Sequence, residues 1–269
     1  MDYKFTKSIV AFIDILGFQN LVDKSTDKSE KKTISDLDTA LKTGFESNIK
    51  NIFNKECKDF KVSMFSDCIC FSCPYIYFND IDIEDTLSSF LLNILFSITQ
   101  LIKIGLMVRG GITIGNHFQN ERLIFSPALI KAYKLESTQA IYPRILIDDS
   151  FMKEINKHFP NDPSHSESEF VLDWIRKDID GKLFLNYLPD EIILMTRRNL
   201  IIWNKNMINN IFENNRDNYN IIEKCRWSAN FHNQRIEEFI SIFGKSEKNL
   251  ALRHYKIDIE KLFLLPGSL

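Results

Sequence analysis

The sequence predicts an α+β fold of the ferredoxin-like βαββαβ kind, and three observations carry that prediction. Residues 8–15 (SIVAFIDI) form a short β-branched, apolar run of strand character. Residues 60–71 (FKVSMFSDCICF) hold two extended runs that meet at Ser66 and Asp67, which reads as a β-hairpin. Apolar residues at helical spacing precede that hairpin and follow it, and a further strand closes the set. Strand, helix, two strands, helix and strand in that order give the split βαβ arrangement.

The elements follow in chain order. After the first strand, Gly17 opens a turn into a short helix through Val22, and residues 23–32 read as a polar loop. Ile34, Leu37, Leu41, Phe45, Ile49 and Ile52 recur at three and four, the pattern of one face of a long helix. A second long helix is expected over 84–104, stopped by Gly105 in the left-handed cap position. Residues 106–114 form the next strand, with Gly115 at its end. Ser126 and Pro127 supply an N-cap and first turn for a helix to Glu136, and 144–147 is another strand. Beyond residue 159 a polar surface loop (PNDPSHSESE) leads to a hairpin over 170–188, turning at Asp180 and Gly181, and then to helices over about 194–243. The chain is thus divided into a core, 1–159, and an extension, 160–269, packed on it.

Composition narrows the function. With 269 residues, 22 Phe and 44% hydrophobic content, the chain has ample core-forming material, which excludes disordered, collagenous and disulfide-knot classes. A net charge of −2 provides no global basic field for nucleic acid. The apolar stretch 90–108 carries Asn93, Gln100 and Lys103 at helical spacing, so it reads as a buried helix and not a membrane span. The N-terminus lacks signal-peptide features, and five Cys without a second CxxC beside Cys70 and Cys73 suit reduced core thiols. A cytoplasmic location is expected. Only 9 Gly occur where ordinary usage would give about twice as many, which directs attention to Gly17 and to Gly110, Gly111 and Gly115.

Asp14 closes the first strand and Asp67 sits at the hairpin tip. If the strands are central neighbours, both carboxylates emerge at one sheet edge. Paired carboxylates without His or Cys partners suit hard divalent ions, Mg²⁺ or Mn²⁺, completed by phosphate oxygens; each alone also reads as a cap or turn aspartate. Gly17 and Phe18 begin a helix, where backbone N–H groups favour an anion. Arg109, on an apolar strand beside the glycine pair, needs either a structural carboxylate or a bound phosphate. A side chain at Gly110 or Gly111 is expected to obstruct a dimer-facing strand or that phosphate. Valine at position 17 is expected to harm turnover more than folding.

FIDILGF (12–18), FSDCICF (65–71), VRGGITIG (108–115) and AYKLES (132–137) stand in an order and at separations that resemble the class III nucleotidyl cyclase catalytic domain. VRGGI, SPAL, AYKLE and YPRI together are most similar to the pyrimidine cyclases of bacterial Pycsar antiphage systems. The resemblance covers roughly the first 150 residues, with weaker echoes in DIDGKLFLNYL and around Trp227 and Asn233.

The resemblance implies a two-metal site formed by Asp14 and Asp67 with the carbonyl of Ile15, a phosphate loop at Gly17 and Phe18, and a phosphate contact from Arg109. Ser63 falls where purine cyclases place a Lys or Glu that reads the base, and a short neutral hydroxyl cannot make the same purine contacts. The family's transition-state Asn aligns with Ile130 and its Arg with Lys134, which keeps a cation but not the guanidinium fork. Lys134 also reads as a solvated helix lysine. The implied reaction turns UTP, or CTP, into the 3′,5′-cyclic monophosphate and pyrophosphate. The implied assembly is a homodimer with sites at the interface, whose product activates a separate cyclic-nucleotide effector in antiphage defence. A purine cyclase and a weakly active nucleotide-binding sensor are the alternatives.

Overall fold

The computed structural model describes residues 4–25, 29–46, 59–75, 83–160 and 166–263. Two compact units are present, one of Met1–Ile98 with Val108–Tyr187 and the other of Thr99–Met107 with Leu188–Leu269.

The first unit is built on a mixed sheet. Its strands are β1 (Thr6–Leu16), β2 (Lys61–Phe65), β3 (Cys68–Pro74), β4 (Met107–Gln119), β5 (Ile124–Phe125), β6 (Ile145–Ile147), β7 (Ile175–Lys177) and β8 (Leu183–Leu185). They are ordered β2-β3-β1-β4-β6-β8-β7, with β5 paired to β4. The first four, in the order 2-3-1-4, are the ferredoxin-like split βαβ set that the sequence predicts. Helices α1 (Phe18–Lys24) and α2 (Glu30–Glu46) follow β1, and α3 (Ile83–Lys103) joins β3 to β4. Helix α4 (Pro127–Gln139) precedes β6, and α5 (Asp149–His158) and α6 (Ser166–Asp173) precede β7.

Alternation along β1 sends side chains to two buried faces. Ile9, Ala11, Ile13 and Ile15 are at most 1% exposed. On β3, Phe71 meets Phe60, which in turn packs on Phe90 of α3. The opposite face takes α4: Ala128 packs with Val10 and Cys70, and Tyr133 stands edge-on to Phe12. Ser126 caps α4 by accepting from the Leu129 N–H at 2.9 Å, with Pro127 in the first turn. Helix α3 is the single described helix long and apolar enough to cross a membrane, but 89% of its apolar window is buried in the protein. Its apolar character serves the core, as the sequence reading expects.

Several local expectations are corrected. Helix α1 continues to Lys24 and α2 begins at Glu30, so the loop expected over 23–32 shrinks; Ile49 and Ile52 lie outside the described residues. Strand β4 does not end at Gly115 but runs on to Gln119, because Phe118 and Gln119 pair with β5 and the buried His117 ring is hydrogen-bonded. The hairpin expected over 170–188 is narrower. Residues 170–173 are helical, and Val171 and Trp174, three apart, bury one helical face. Helix α5 has no counterpart in the sequence reading. Cys68, Cys70 and Cys225 are free thiols, whereas Cys73 is disulfide-bonded, against the expectation of reduced thiols throughout; Cys57 lies outside the described residues.

The second unit contains α7 (Asp190–Met195), α8 (Asn199–Glu213), α9 (Tyr219–Phe243) and α10 (Glu247–Leu250), followed by two short 3₁₀ turns. The helices expected over 194–243 are therefore present. In this unit His232 donates to the Tyr255 carbonyl, Asn233 bonds Ile257 in both directions, and Arg226 donates twice to the Leu262 carbonyl. These side chains bind the last described segment to α9.

Candidate active site

The site is assembled by strand register. Asp14 stands opposite Cys68 in the β1–β3 ladder, and the Ile15 N–H donates to the Asp67 carbonyl at 2.9 Å. Ser66 adopts a left-handed φ of 55°, which closes the hairpin and leaves Asp67 as its second tip residue. Ligand atoms of Asp14, Asp67 and Cys68 lie within 4.8 Å of one another, all three side chains half-buried. Burial first, and then the Asp67 carboxylate, push the Cys68 thiol up to about 11. It therefore stays protonated at neutral pH. The donors offered to a cation are carboxylate oxygens, a set that fits a hard divalent ion.

Arg109 of β4 reaches this pair. Its Nε donates to Asp14 Oδ2 at 3.2 Å and lies 2.6 Å from Glu136 Oε1. Of the two readings open for Arg109 in the sequence, the structural carboxylate is present and doubled. The second carboxylate belongs to α4, where Glu136 is 3% exposed. Neither terminal guanidinium nitrogen of Arg109 has a hydrogen-bond partner among the described residues, and the side chain is 27% exposed. Their donors stay available beside Asp14.

The sequence reading does not single out Glu136. Its signal was its place in AYKLES: Ala132, Leu135 and Glu136 are all buried on α4, so a carboxylate shares the inward face with apolar residues. A charge so placed needs a cation.

The glycines have other duties than those expected. A Cβ on Gly110 would stand 2.4 Å from the Phe12 carbonyl oxygen, and one on Gly111 would stand 2.6 Å from Leu135 Cβ. The chain's own β1 and α4 exclude side chains there. Gly17 has open space around it but a φ of +77°. Valine at that position would strain the backbone, so its effect on folding is larger than the sequence reading expects. Gly17 is the N-cap of α1 and Phe18 its first residue.

Ser63 and Lys134 are not gathered with the carboxylates. Ser63, on β2, stands opposite Cys70 and accepts from Gln119 Nε2 at 2.8 Å. The Gln119 carbonyl oxygen in turn takes the Ser72 hydroxyl at 2.8 Å and lies 3.1 Å from His117 Nε2. Burial holds the His117 pKa below the usual histidine range, so the ring is neutral at pH 7. Lys61, Ser72, His117 and Gln119 line part of a cavity of about 220 Å³. Lys134 projects from the exposed face of α4 beside Ile130 and Tyr133, which are 58% and 50% exposed, and its ammonium has no partner among the described residues.

No family model and no curated protein matches the chain. Among solved structures, it is similar to the catalytic core of a rhodopsin-guanylyl cyclase with converted specificity, in complex with ATPalphaS. The identity is 17% and the TM-score 0.44, covering 68% of this chain and 96% of that one. The fold assignment stands on the strand order itself.

Proposed function

We propose that the chain is a nucleotidyl cyclase that converts a pyrimidine nucleoside triphosphate, UTP in preference to CTP, into its 3′,5′-cyclic monophosphate and pyrophosphate. The observation that carries this reading is the convergence of Asp14 and Asp67 beside an arginine whose terminal nitrogens are unengaged. Asp14 and Asp67, with the Ile15 carbonyl, would hold Mg²⁺ or Mn²⁺, two ions by the family pattern. Ions held there would lower the pKa of the ribose 3′-hydroxyl and neutralise the leaving phosphates. Arg109 binds phosphate oxygens through its terminal nitrogens, and the backbone at Gly17 and Phe18 receives the triphosphate. The 3′-oxygen forms a bond to the α-phosphorus as the bond to the bridging oxygen breaks and pyrophosphate departs. Positioning and charge neutralisation supply most of the catalysis in such a transfer, so no His or Cys nucleophile is needed.

The pyrimidine preference is supported by the neutral, short Ser63, engaged by Gln119, where a purine reader would carry a longer charged side chain. Lys134, exposed beside Ile130 and Tyr133, supports an arrangement in which α4 of one subunit completes the site of another in a homodimer. The product would act on a separate effector during phage infection. Purified protein incubated with each of the four ribonucleoside triphosphates and Mn²⁺, followed by chromatography, tests the reading. Cyclic UMP or CMP is expected; cyclic AMP or GMP alone refutes the base assignment, and no cyclic product refutes the enzyme and leaves a nucleotide-binding protein. Asp67→Ala is expected to abolish turnover in a folded protein.

A further inference from the structure

Gln119, the last residue of β4, has a partner at each end of its side-chain amide. Its Nε2 donates to the Ser63 hydroxyl at 2.8 Å, and its Oε1 accepts the Ser72 hydroxyl proton at 2.8 Å. His117 Nε2 lies 3.1 Å from the same Oε1. Only one orientation of the amide serves every group. Turned end for end, it would present Nε2 to Ser72, whose hydroxyl is 2% exposed and has no other acceptor among the described residues. Oε1 can only accept, so His117 carries its proton on Nε2, and its Nδ1 accepts from Ser126 Oγ, 2.8 Å away.

Donation therefore runs one way, from Ser126 through His117 to Gln119 and on to Ser63. Ser63 ends the relay. Its oxygen accepts from Gln119, while its own proton has no acceptor among the described residues, and the side chain is half-buried. What this hydroxyl has left to place against a ligand is a donor. Uracil presents the O4 acceptor where cytosine presents the N4 amino group, itself a donor. Against cytosine the Ser63 proton would stay unpaired, at the cost of an unsatisfied polar group.

We infer that Gln119 is a positioning residue that sets the choice of base: by donating to the Ser63 oxygen, it makes the Ser63 hydroxyl a donor to O4 of a uracil ring and a poor partner for the cytosine amino group. The inference rests on the reading above, in which the base lies against Ser63, and adds the residue that decides between the two pyrimidines. Gln119 acts through Ser63 and does not itself touch the base.

The test uses the full chain with Mn²⁺ and two probes, 3′-deoxy-UTP and 3′-deoxy-CTP, triphosphates that lack the attacking hydroxyl and so report binding without turnover. The wild-type chain is expected to bind the uridine analogue about tenfold more tightly, the scale of one polar group left unpaired. Gln119→Glu keeps the shape and still accepts from Ser72 and His117, but a carboxylate cannot donate. The Ser63 proton then turns onto it, and the Ser63 lone pairs are left for the base. Lys61, whose ammonium donates to the Gln119 main-chain oxygen at 3.1 Å, offsets the added charge. This variant is expected to bind the cytidine analogue more tightly, a reversal that a merely structural role for Gln119 would not produce. An unchanged preference in folded Gln119→Glu overturns the inference, as does a wild-type chain that binds both analogues alike or prefers the cytidine one.

Where Gln119→Glu fails to fold, Gln119→Met supplies the test. It is uncharged and of similar length, and it frees the Ser63 hydroxyl to donate or accept, so the two affinities are expected to converge. A retained uridine preference overturns the inference. A wild-type chain that binds neither analogue overturns the nucleotide reading and this inference together. The expected binding pattern with no cyclic product from any natural triphosphate refutes the cyclase reading alone.

Discussion

The carbonyl oxygen of Phe12 lies 2.4 Å from the position that a Cβ on Gly110 would occupy. Real Cβ atoms do not approach a backbone oxygen so closely, and neither β1 nor β4 has a flexible end there that can move aside. Gly110→Ala is therefore expected to part the two strands that carry Asp14 and Arg109. A loss of about 3 kcal/mol, the upper part of the usual overpacking range, should appear as a lower urea midpoint. At Gly17 the contrast is informative, since nothing lies within 4 Å but φ is +77°. Gly17→Ala is expected to cost only about 1–2 kcal/mol through backbone strain.

Arg109 carries two duties that substitution can separate. Arg109→Ala removes the guanidinium that lies 2.6 Å from the buried Glu136 carboxylate, and removing one partner of a buried ion pair costs about 3–5 kcal/mol. Arg109→Lys retains the charge and should recover most of that loss. It does not retain the planar fork, so triphosphate affinity should stay reduced. Urea unfolding of both variants, paired with titration of 3′-deoxy-UTP, checks the separation. Equal stability of the two variants would show that Glu136 does not depend on Arg109.

Lys134 should behave in the opposite manner. Its exposed ammonium contributes nothing to the single chain's packing, so Lys134→Ala is expected to leave stability within about 0.5 kcal/mol. If α4 completes a neighbouring subunit's site, turnover should nevertheless fall about tenfold or more, the scale of losing one charge contact to a transition state. Mixing Lys134→Ala with Asp67→Ala protein then restores activity, because one of the two interfacial sites in each mixed dimer is intact. No restoration would place Lys134 outside the site.

Local pattern made the sheet order legible. The β-branched run at 8–15, the turn at Ser66 and Asp67, and Gly105 after a long helix are each set by residues adjacent in sequence, and the strand order follows from them. Asp14 and Asp67 were legible for the same reason, since register alone brings the ends of neighbouring strands together. What was not legible depends on contacts between distant elements. Nothing adjacent to Gly110 shows that the Phe12 carbonyl passes over it. Nothing in AYKLES assigns Glu136 to Arg109, 27 positions earlier. The extension of β4 past Gly115 was obscured by polar Asn116 and His117, whose burial is tolerable only because Ser126 and Gln119 serve the imidazole. Helix spacing at Val171 and Trp174 was mistaken for strand because the run is short and flanked by a true hairpin.

The second unit offers a pH test independent of catalysis. His232 is 0% exposed between Asn204, 3.0 Å from its Nδ1, and the Tyr255 carbonyl, 3.0 Å from its Nε2. Burial, partly offset by the bond to Tyr255, lowers its pKa from 6.5 to about 4. The native ring thus stays neutral where the unfolded ring is already protonated, so the unfolded state binds more protons between these two values. By linkage, stability is fully present above about pH 6.5 and falls as pH drops towards about 4, at up to roughly 1.4 kcal/mol per pH unit. Urea midpoints of the whole chain should therefore decline between pH 7 and pH 5. His232→Gln cannot take up the proton; it should be less stable at pH 7, having lost a fitted bond pair, yet show a flatter profile over the same interval. A variant whose slope equals that of the wild type would assign the acid sensitivity to other groups.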